Sequence, residues 1–266
     1  MSEDKIRLAG LSKIFQTRFQ TIIAVKDADM RFAKGDFVSI IGPSGCGKST
    51  IIRMIDDLIK PSSGEIFIDG QPITSYRRIP AGIIRKIGFI FQQPNMYPWM
   101  TVRENVTLPL RIFGLTGRDW EDYTDELIDM AGLADQRNSY PTELSGGSMQ
   151  RAGVIRAMVH KPDILLMDEP FGALDEMTRE QLNMELLDIW ESTGKTIVFI
   201  THSVEEAVLL SNRVYVMGTN PGRVVDEIVI DLPRPRSLNM IVSPEFVRYC
   251  ERLTGRIGHV ELSEIK

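Results

Sequence analysis

The 266 residues carry 31 Lys and Arg against 36 Asp and Glu, a formal net charge of -5, so no global positive field draws this chain to nucleic acid. Only Cys46 and Cys250 are present, which excludes a disulfide framework and a thiolate zinc site and fits a reducing compartment. No apolar run is long enough to cross a bilayer, and residues 1–8 lack the apolar heart of a signal peptide, so any membrane connection is expected to be peripheral.

In chain order, the apolar run at residues 37–41 ends in Gly42, and from Thr50 onward Ile51, Ile52, Met54, Ile55 and Leu58 recur at largely helical intervals. This reads as buried strand, tight loop, helix. Residues 64–70, with Ile66 and Ile68 ahead of Asp69, read as a short strand and a turn, and Gln92 follows a strand-like run at 88–91. Between Pro94 and Pro141 the pattern becomes helical, with segments at 102–110 and 120–130, so a helical lobe inserted into a sheet domain is the economical reading. Residues 164–167 then run into Asp168 and Glu169, and residues 196–200 into Thr201 and His202 ahead of a helix at 204–210. Strand ends of this kind are where open α/β sheets place ligands. Residues 224–230 read as a late strand, and no repeat or long linker interrupts the chain.

Gly42, Pro43, Ser44, Gly45, Cys46, Gly47, Lys48, Ser49 and Thr50 set out the spacing G-x-x-x-x-G-K-S between the predicted strand and the predicted helix. Small residues let consecutive backbone N–H groups turn inward around phosphates; Lys48 reaches the terminal phosphates, and Ser49 can ligate magnesium. The helix N-terminus adds partial positive charge. Cys46, flanked by glycines in that field, is expected to be accessible and biased towards thiolate when the loop is open. Asp168, ending a buried strand, can hold magnesium through water, which leaves the adjacent Glu169 to poise the attacking water.

Leu144, Ser145, Gly146, Gly147, Ser148, Met149, Gln150 and Arg151 resemble the signature motif of the ABC transporter ATPases, with Ser148 where that family most often has glutamine. Together with the phosphate loop and residues 164–170, the resemblance is specific and runs from about residue 8 to residue 218. It implies an α/β fold, a P-loop NTPase core with an ABC-type antiparallel β region and an inserted helical subdomain. The implied bounds are 1–93 and 158–240 for the core, 94–157 for the helical signature subdomain and 241–266 for a C-terminal helical tail.

The resemblance also implies ATP and Mg2+ as ligands and a second copy of the chain as partner, the two copies dimerising head to tail around two Mg-ATP. Ser145 and the backbone of Gly146 and Gly147 would then contact the γ-phosphate held by the other copy, ahead of a helix running from Met149. Gln92 corresponds to the Q-loop glutamine, a sensor of magnesium and attacking water, and His202 to the switch histidine that contacts γ-phosphate. The implied metal set is Ser49, Gln92 and Asp168, and the catalytic set is Glu169, His202 and Gln92. Ala173-Leu174-Asp175 resembles the D-loop, with Asp175 communicating across the dimer. Phe15 corresponds approximately to the aromatic residue that stacks on adenine; Phe19 is its rival, because residues 16–21 make a slightly long connection.

Tyr97, Pro98 and Trp99 lie where the family forms a groove for a coupling helix of the membrane subunit; packing inside the lobe's own core is the alternative. That run, residues 101–106 and Leu232-Pro233-Arg234-Pro235-Arg236 resemble the nitrate, sulfonate, taurine and bicarbonate importer ATPases. The 55 residues after Ser211 leave little room for the regulatory domain of sugar importers. The implied protein is an ATP-hydrolysing subunit, peripheral on the cytoplasmic face of the cell membrane, with no nucleic-acid partner. It would power a separate multi-spanning permease served by an extracytoplasmic solute-binding protein. An exporter or lipid-handling ABC ATPase is the alternative, and a soluble nucleic-acid-associated ABC ATPase a remoter one.

Overall fold

The computed structural model describes residues 3–264, which form two compact units: one drawn from residues up to 80 and from 183 onward, the other from 81–182. Among the described residues, no helix is long and apolar enough to cross a membrane.

The first unit opens with β1 (Asp4–Gln16) and β2 (Thr21–Ala33), followed by β3 (Phe37–Ile41), α1 (Lys48–Ile55), β4 (Ser63–Ile68) and β5 (Gln71–Pro72). Ile6, Leu8 and Leu11 of β1 are buried, and Ile6 lies opposite Phe32 on one side and Ile68 on the other. These strands form an antiparallel sheet in the order β2-β1-β4-β5. α1 is shorter than the sequence periodicity predicts. It stops at Ile55, with Asp57 in the left-handed region at φ 59°, and Leu58 is left about half exposed.

The second unit contains α2 (Ala81–Ile84), β6 (Ile87–Ile90), α3 (Val102–Ile112), α4 (Arg118–Met130), α5 (Gly146–Met158), β7 (Ile164–Asp168) and the start of α6 (Glu176–Thr193). β6 and β7 pair in parallel, Ile87 with Ile164 through to Ile90 with Met167. Val106 and Leu110 of α3, Leu127 and Ile128 of α4, and Ala152 and Ile155 of α5 form one apolar core, in which two amphipathic helices, α3 and α4, turn their apolar faces to α5, a helix buried on most sides. Thr101 begins α3 with a reciprocal cap, its hydroxyl accepting from the Glu104 N–H while the Glu104 carboxylate accepts from the Thr101 N–H at 2.8 Å.

The chain completes the first unit with β8 (Thr196–Ile200), α7 (Val204–Leu210), β9 (Arg213–Gly218), β10 (Arg223–Val229) and α8 (Pro244–Glu264). β3 runs parallel to both β8 and β9, and every residue of β3 and β8 is buried, which is why both read as mainly apolar runs, with Ser39 and Thr196 their polar members. Ala207 and Val208 of α7 and Phe246 and Leu253 of α8 share a core with Val214 and Val216 of β9.

Candidate nucleotide site

In the first unit, β3 feeds the loop at residues 42–47 directly into α1. Gly47 sits at φ 94°, where a Cβ would stand 2.5 Å from the Ala24 carbonyl oxygen, so the turn into the helix demands glycine. The Lys48 ammonium folds back over the loop and donates to the carbonyls of Gly42 at 2.8 Å and Pro43 at 3.0 Å. Its side chain is almost wholly buried, while Ser44 and Gly45 at the crest are exposed. The first N–H groups of α1 have no intrahelical acceptor, and they share this loop with the ammonium. Such a concentration of donors and positive charge fits a polyphosphate.

Cys46 departs from expectation. It is fully buried, and desolvation pushes its thiol above the ordinary value, outweighing the downward pull of Lys48. The thiol is therefore protonated at neutral pH and shielded, not an accessible thiolate. Gly222 explains part of the enclosure: a Cβ there would stand 2.3 Å from the Cys46 carbonyl oxygen.

Phe15 lies on β1 opposite Ile22, 38% exposed, with the Lys13 ammonium 5.0 Å from its ring centre. Phe19 is 96% exposed in the turn joining β1 and β2, where the Thr17 hydroxyl accepts from its N–H at 3.3 Å. Both rings are exposed, but only Phe15 is seated on a strand. His202 is exposed between β8 and α7, and the residues on either side of it are tied down. Thr201, buried, accepts at its hydroxyl from the Ser203 N–H at 3.0 Å and bonds the Glu206 carboxylate, while the Ser203 hydroxyl caps α7 at Glu206.

In the second unit, β7 ends in buried Asp168, and Glu169 follows with φ 46°. A left-handed backbone at a non-glycine residue before proline is strained, and such strain gathers at functional sites. The Gln92 amide donates to Glu169 Oε2 at 3.1 Å, bringing together two members of the predicted catalytic set. The sequence reading missed what fixes the following residue: the buried Gln150 amide of α5 donates to the Pro170 carbonyl. It also missed Arg156, whose guanidinium bonds the carbonyls of Pro94 and Asn95 just beyond Gln92. Gln150 stood in the signature motif, which was the one available signal; Arg156 carried none.

The signature helix begins earlier than expected. α5 starts at Gly146, not Met149, with Ser145 as its cap, accepting from the Ser148 N–H at 3.1 Å. The Gly146 and Gly147 N–H groups therefore belong to the open first turn itself. Asp175 caps α6 in the same manner, accepting from the Thr178 N–H at 3.0 Å and the Thr178 hydroxyl at 2.8 Å. Tyr97 and Trp99 pair with ring centres 5.3 Å apart and are 41% and 69% exposed, so neither ring is enclosed in the lobe's core. Asn105, fully buried, holds this loop by accepting from the Tyr97 N–H and donating to the carbonyls of Tyr97, Met100 and Thr101.

Among the described residues no group of three or more His, Cys, Asp or Glu is placed to hold a metal. By chemistry alone, the residues expected to hold magnesium carry a hydroxyl in the first unit, at Ser49, and an amide and a carboxylate in the second, at Gln92 and Asp168, oxygen donors of the kind Mg2+ takes.

A loop of this build between a buried parallel strand and a helix defines a P-loop nucleotide-binding protein. The sequence profile described as ABC transporter matches residues 25–172. The chain belongs to the ABC transporter family, as an ATP-binding and ATP-hydrolysing protein. It is 42% identical to an aliphatic sulfonates import ATP-binding protein of Bacillus cereus, over 87% of this chain and 88% of the relative. Identity to a nitrate import ATP-binding protein of Synechocystis sp. is 38%, over 97% of each. A solved ATP-binding cassette, described as the dimeric structure of a post-hydrolysis state bound to ADP and Pi, superposes with a TM-score of 0.76 at 34% identity, over 86% of this chain and 100% of the other. These matches bear out the mixed α/β fold with its inserted helical subdomain.

Proposed function

We propose that two copies of this chain close around two ATP molecules and that the resulting hydrolysis drives a separate importer permease for a small anion. Lys48, Ser49, Thr50 and the backbone of residues 42–47 hold the triphosphate, and Phe15 stacks on the base. The second copy presents Ser145, Gly146 and Gly147 to the γ-phosphate, with Asp175 signalling between copies. Ser49, Asp168 and Gln92 would hold Mg2+, which would supply charge neutralisation at the transferred phosphoryl group. Glu169 accepts a proton from the attacking water, Gln92 fixes the carboxylate, and His202 contacts the γ-phosphate.

The observation that carries this reading is the strained Glu169, bonded to Gln92 and adjacent to buried Asp168. Glu169→Gln keeps side-chain size but removes the proton-accepting charge. Single-turnover cleavage should fall about 10²- to 10⁴-fold with nucleotide binding retained, and the ATP-bound dimer should persist in light scattering. Near-normal cleavage rejects the assignment.

Anion import rests on the sulfonate and nitrate relatives. The permease docks at Tyr97 and Trp99, which places this subunit on the cytoplasmic face of the membrane, and an extracytoplasmic solute-binding protein delivers cargo. Uptake by the reconstituted transporter should be competed by nitrate or sulfonates; exclusive sugar or peptide uptake rejects it.

A further inference from the structure

We propose that Thr178 is a positioning residue that locks the D-loop carboxylate of Asp175 to the signature backbone at Gly147, so that the two cannot move independently. The proposal rests on the reading that Ser145, Gly146 and Gly147 close on the γ-phosphate of the second copy.

Thr178 is the third residue of α6 and half-buried. Its hydroxyl donates to Asp175 Oδ2 at 2.8 Å and its N–H to Oδ1 at 3.0 Å, so one residue engages both carboxylate oxygens. These bonds hold the Asp175 carboxyl below its ordinary value. The methyl on the same Cβ points to the signature: a Cβ built on Gly147 would stand 3.2 Å from Thr178 Cγ2, tighter than ordinary contact. Gly146 is covered likewise, its built Cβ 3.5 Å from Leu174 Cδ2, and Leu174 is held by the Arg179 guanidinium on its carbonyl at 2.8 Å.

A β-branched side chain has one χ1 for both arms. With the hydroxyl fixed on Asp175, the methyl is held in the space that a side chain on Gly147 would need. Rotation of the Asp175 carboxylate by contact with the second copy, with the hydroxyl bond kept, swings the methyl along the first turn of α5, whose open N–H groups are the ones proposed to meet phosphate. Serine or alanine at this position lacks one arm or both, and valine carries the methyl without the hydroxyl.

The two arms can be removed separately. Thr178→Val keeps a methyl facing Gly147 and loses the hydroxyl bond to Asp175; ATP-driven dimerisation should be retained while kcat falls about threefold to tenfold, the effect of one solvent-accessible hydrogen bond. Thr178→Ser keeps the hydroxyl and loses the methyl. The ATP concentration for half-maximal dimerisation and KM should rise about fourfold, as for one buried carbon, with kcat within about twofold of wild type. Dimerisation is read by light scattering in the Glu169→Gln chain and turnover in the otherwise unchanged full chain, with thermal melts of each variant alongside. A purely structural cap would shift melting and move kcat and KM together in both variants. That result, or wild-type behaviour in both, overturns the proposal. Ser145→Arg separates the two levels: if it dimerises normally with ATP, the signature reading fails and takes this proposal with it; if it stays monomeric, absence of the split counts against Thr178 alone.

Discussion

Lys48 spends its positive charge on two loop carbonyls, at 2.8 and 3.0 Å, and a phosphate oxygen is a stronger acceptor for it than either. Lys48→Ala should therefore weaken ATP binding about 10- to 100-fold, as for loss of a charge-assisted bond, and nearly eliminate hydrolysis. Nucleotide titration with phosphate-release measurements checks both. Cys46 makes the opposite point about the same loop. Its sequence neighbours suggest a reactive thiolate, but Cys46 is fully buried, and part of the packing around it, Gly222 against its carbonyl, comes from far along the chain and leaves no local mark. The native chain should resist brief alkylation at pH 7 at Cys46, with or without nucleotide, and mass spectrometry should find label there only after denaturation. Cys250 is pushed up to about 11 by burial and Glu205, so it too is protonated at pH 7; its labelling should accelerate as pH rises towards that value. Motif residues were legible because phosphate chemistry fixes their spacing. Gln150 was legible as a motif member but not in its bond to the Pro170 carbonyl, and Arg156 and Thr178 were not legible at all, because each acts on a carbonyl, a carboxylate or a glycine whose position only the fold decides.

At the scale of elements, β3, β7 and β8 announced themselves as mainly apolar runs because every residue in each is buried. β1 and β2 did not, since their pairing shifts register around Leu8 to Leu11 and again near Lys13, which breaks the period-2 alternation a strand pattern depends on. The start of α5 was hidden by two glycines, residues that argue against helix until Ser145 is seen capping it. The Leu232-Pro233-Arg234-Pro235-Arg236 run was legible only as a mark of kinship, yet it closes the end of α7. Arg236, 4% exposed, donates to the carbonyls of Val208, Leu209, Ser211 and Ile230, and Arg234 stacks 4.2 Å from the Trp190 ring while donating to the Leu210 carbonyl. Burial pushes the Arg236 guanidinium down to about 9, still above neutrality, so it remains a charged donor at pH 7. Arg236→Met would leave those carbonyls buried without it, at a cost of about 3 kcal/mol or more. For a chain of this size that lowers Tm by roughly 6–12 °C, read in a thermal melt. A change below about 2 °C would mean the α7 carbonyls find other donors.

At the scale of the whole molecule, the proposed coupling to a permease requires a docking surface, and an exposed aromatic pair is costly in water unless something covers it. The loop bearing Tyr97 and Trp99 is not loose. Four hydrogen bonds to the buried Asn105 side chain set its backbone before any partner arrives, and preorganisation of that kind reduces the entropy lost on docking. In the proposed docking, Trp99, the more exposed ring, would be the anchor for the permease. Trp99→Ala should cost about 2 kcal/mol or more of permease binding, as for a central aromatic anchor, and so weaken capture roughly 30-fold. Asn105→Ala should weaken it too, but through a loop that has lost its fixed shape, with lowered Tm as the distinguishing sign; Trp99→Ala should leave Tm within about 2 °C. The comparison uses immobilised full chain and detergent-solubilised membranes, with the captured multi-spanning protein quantified against chain concentration. Equal capture by wild type and Trp99→Ala would remove the aromatic pair from the docking surface, and the permease contact would then have to lie on a different part of the chain.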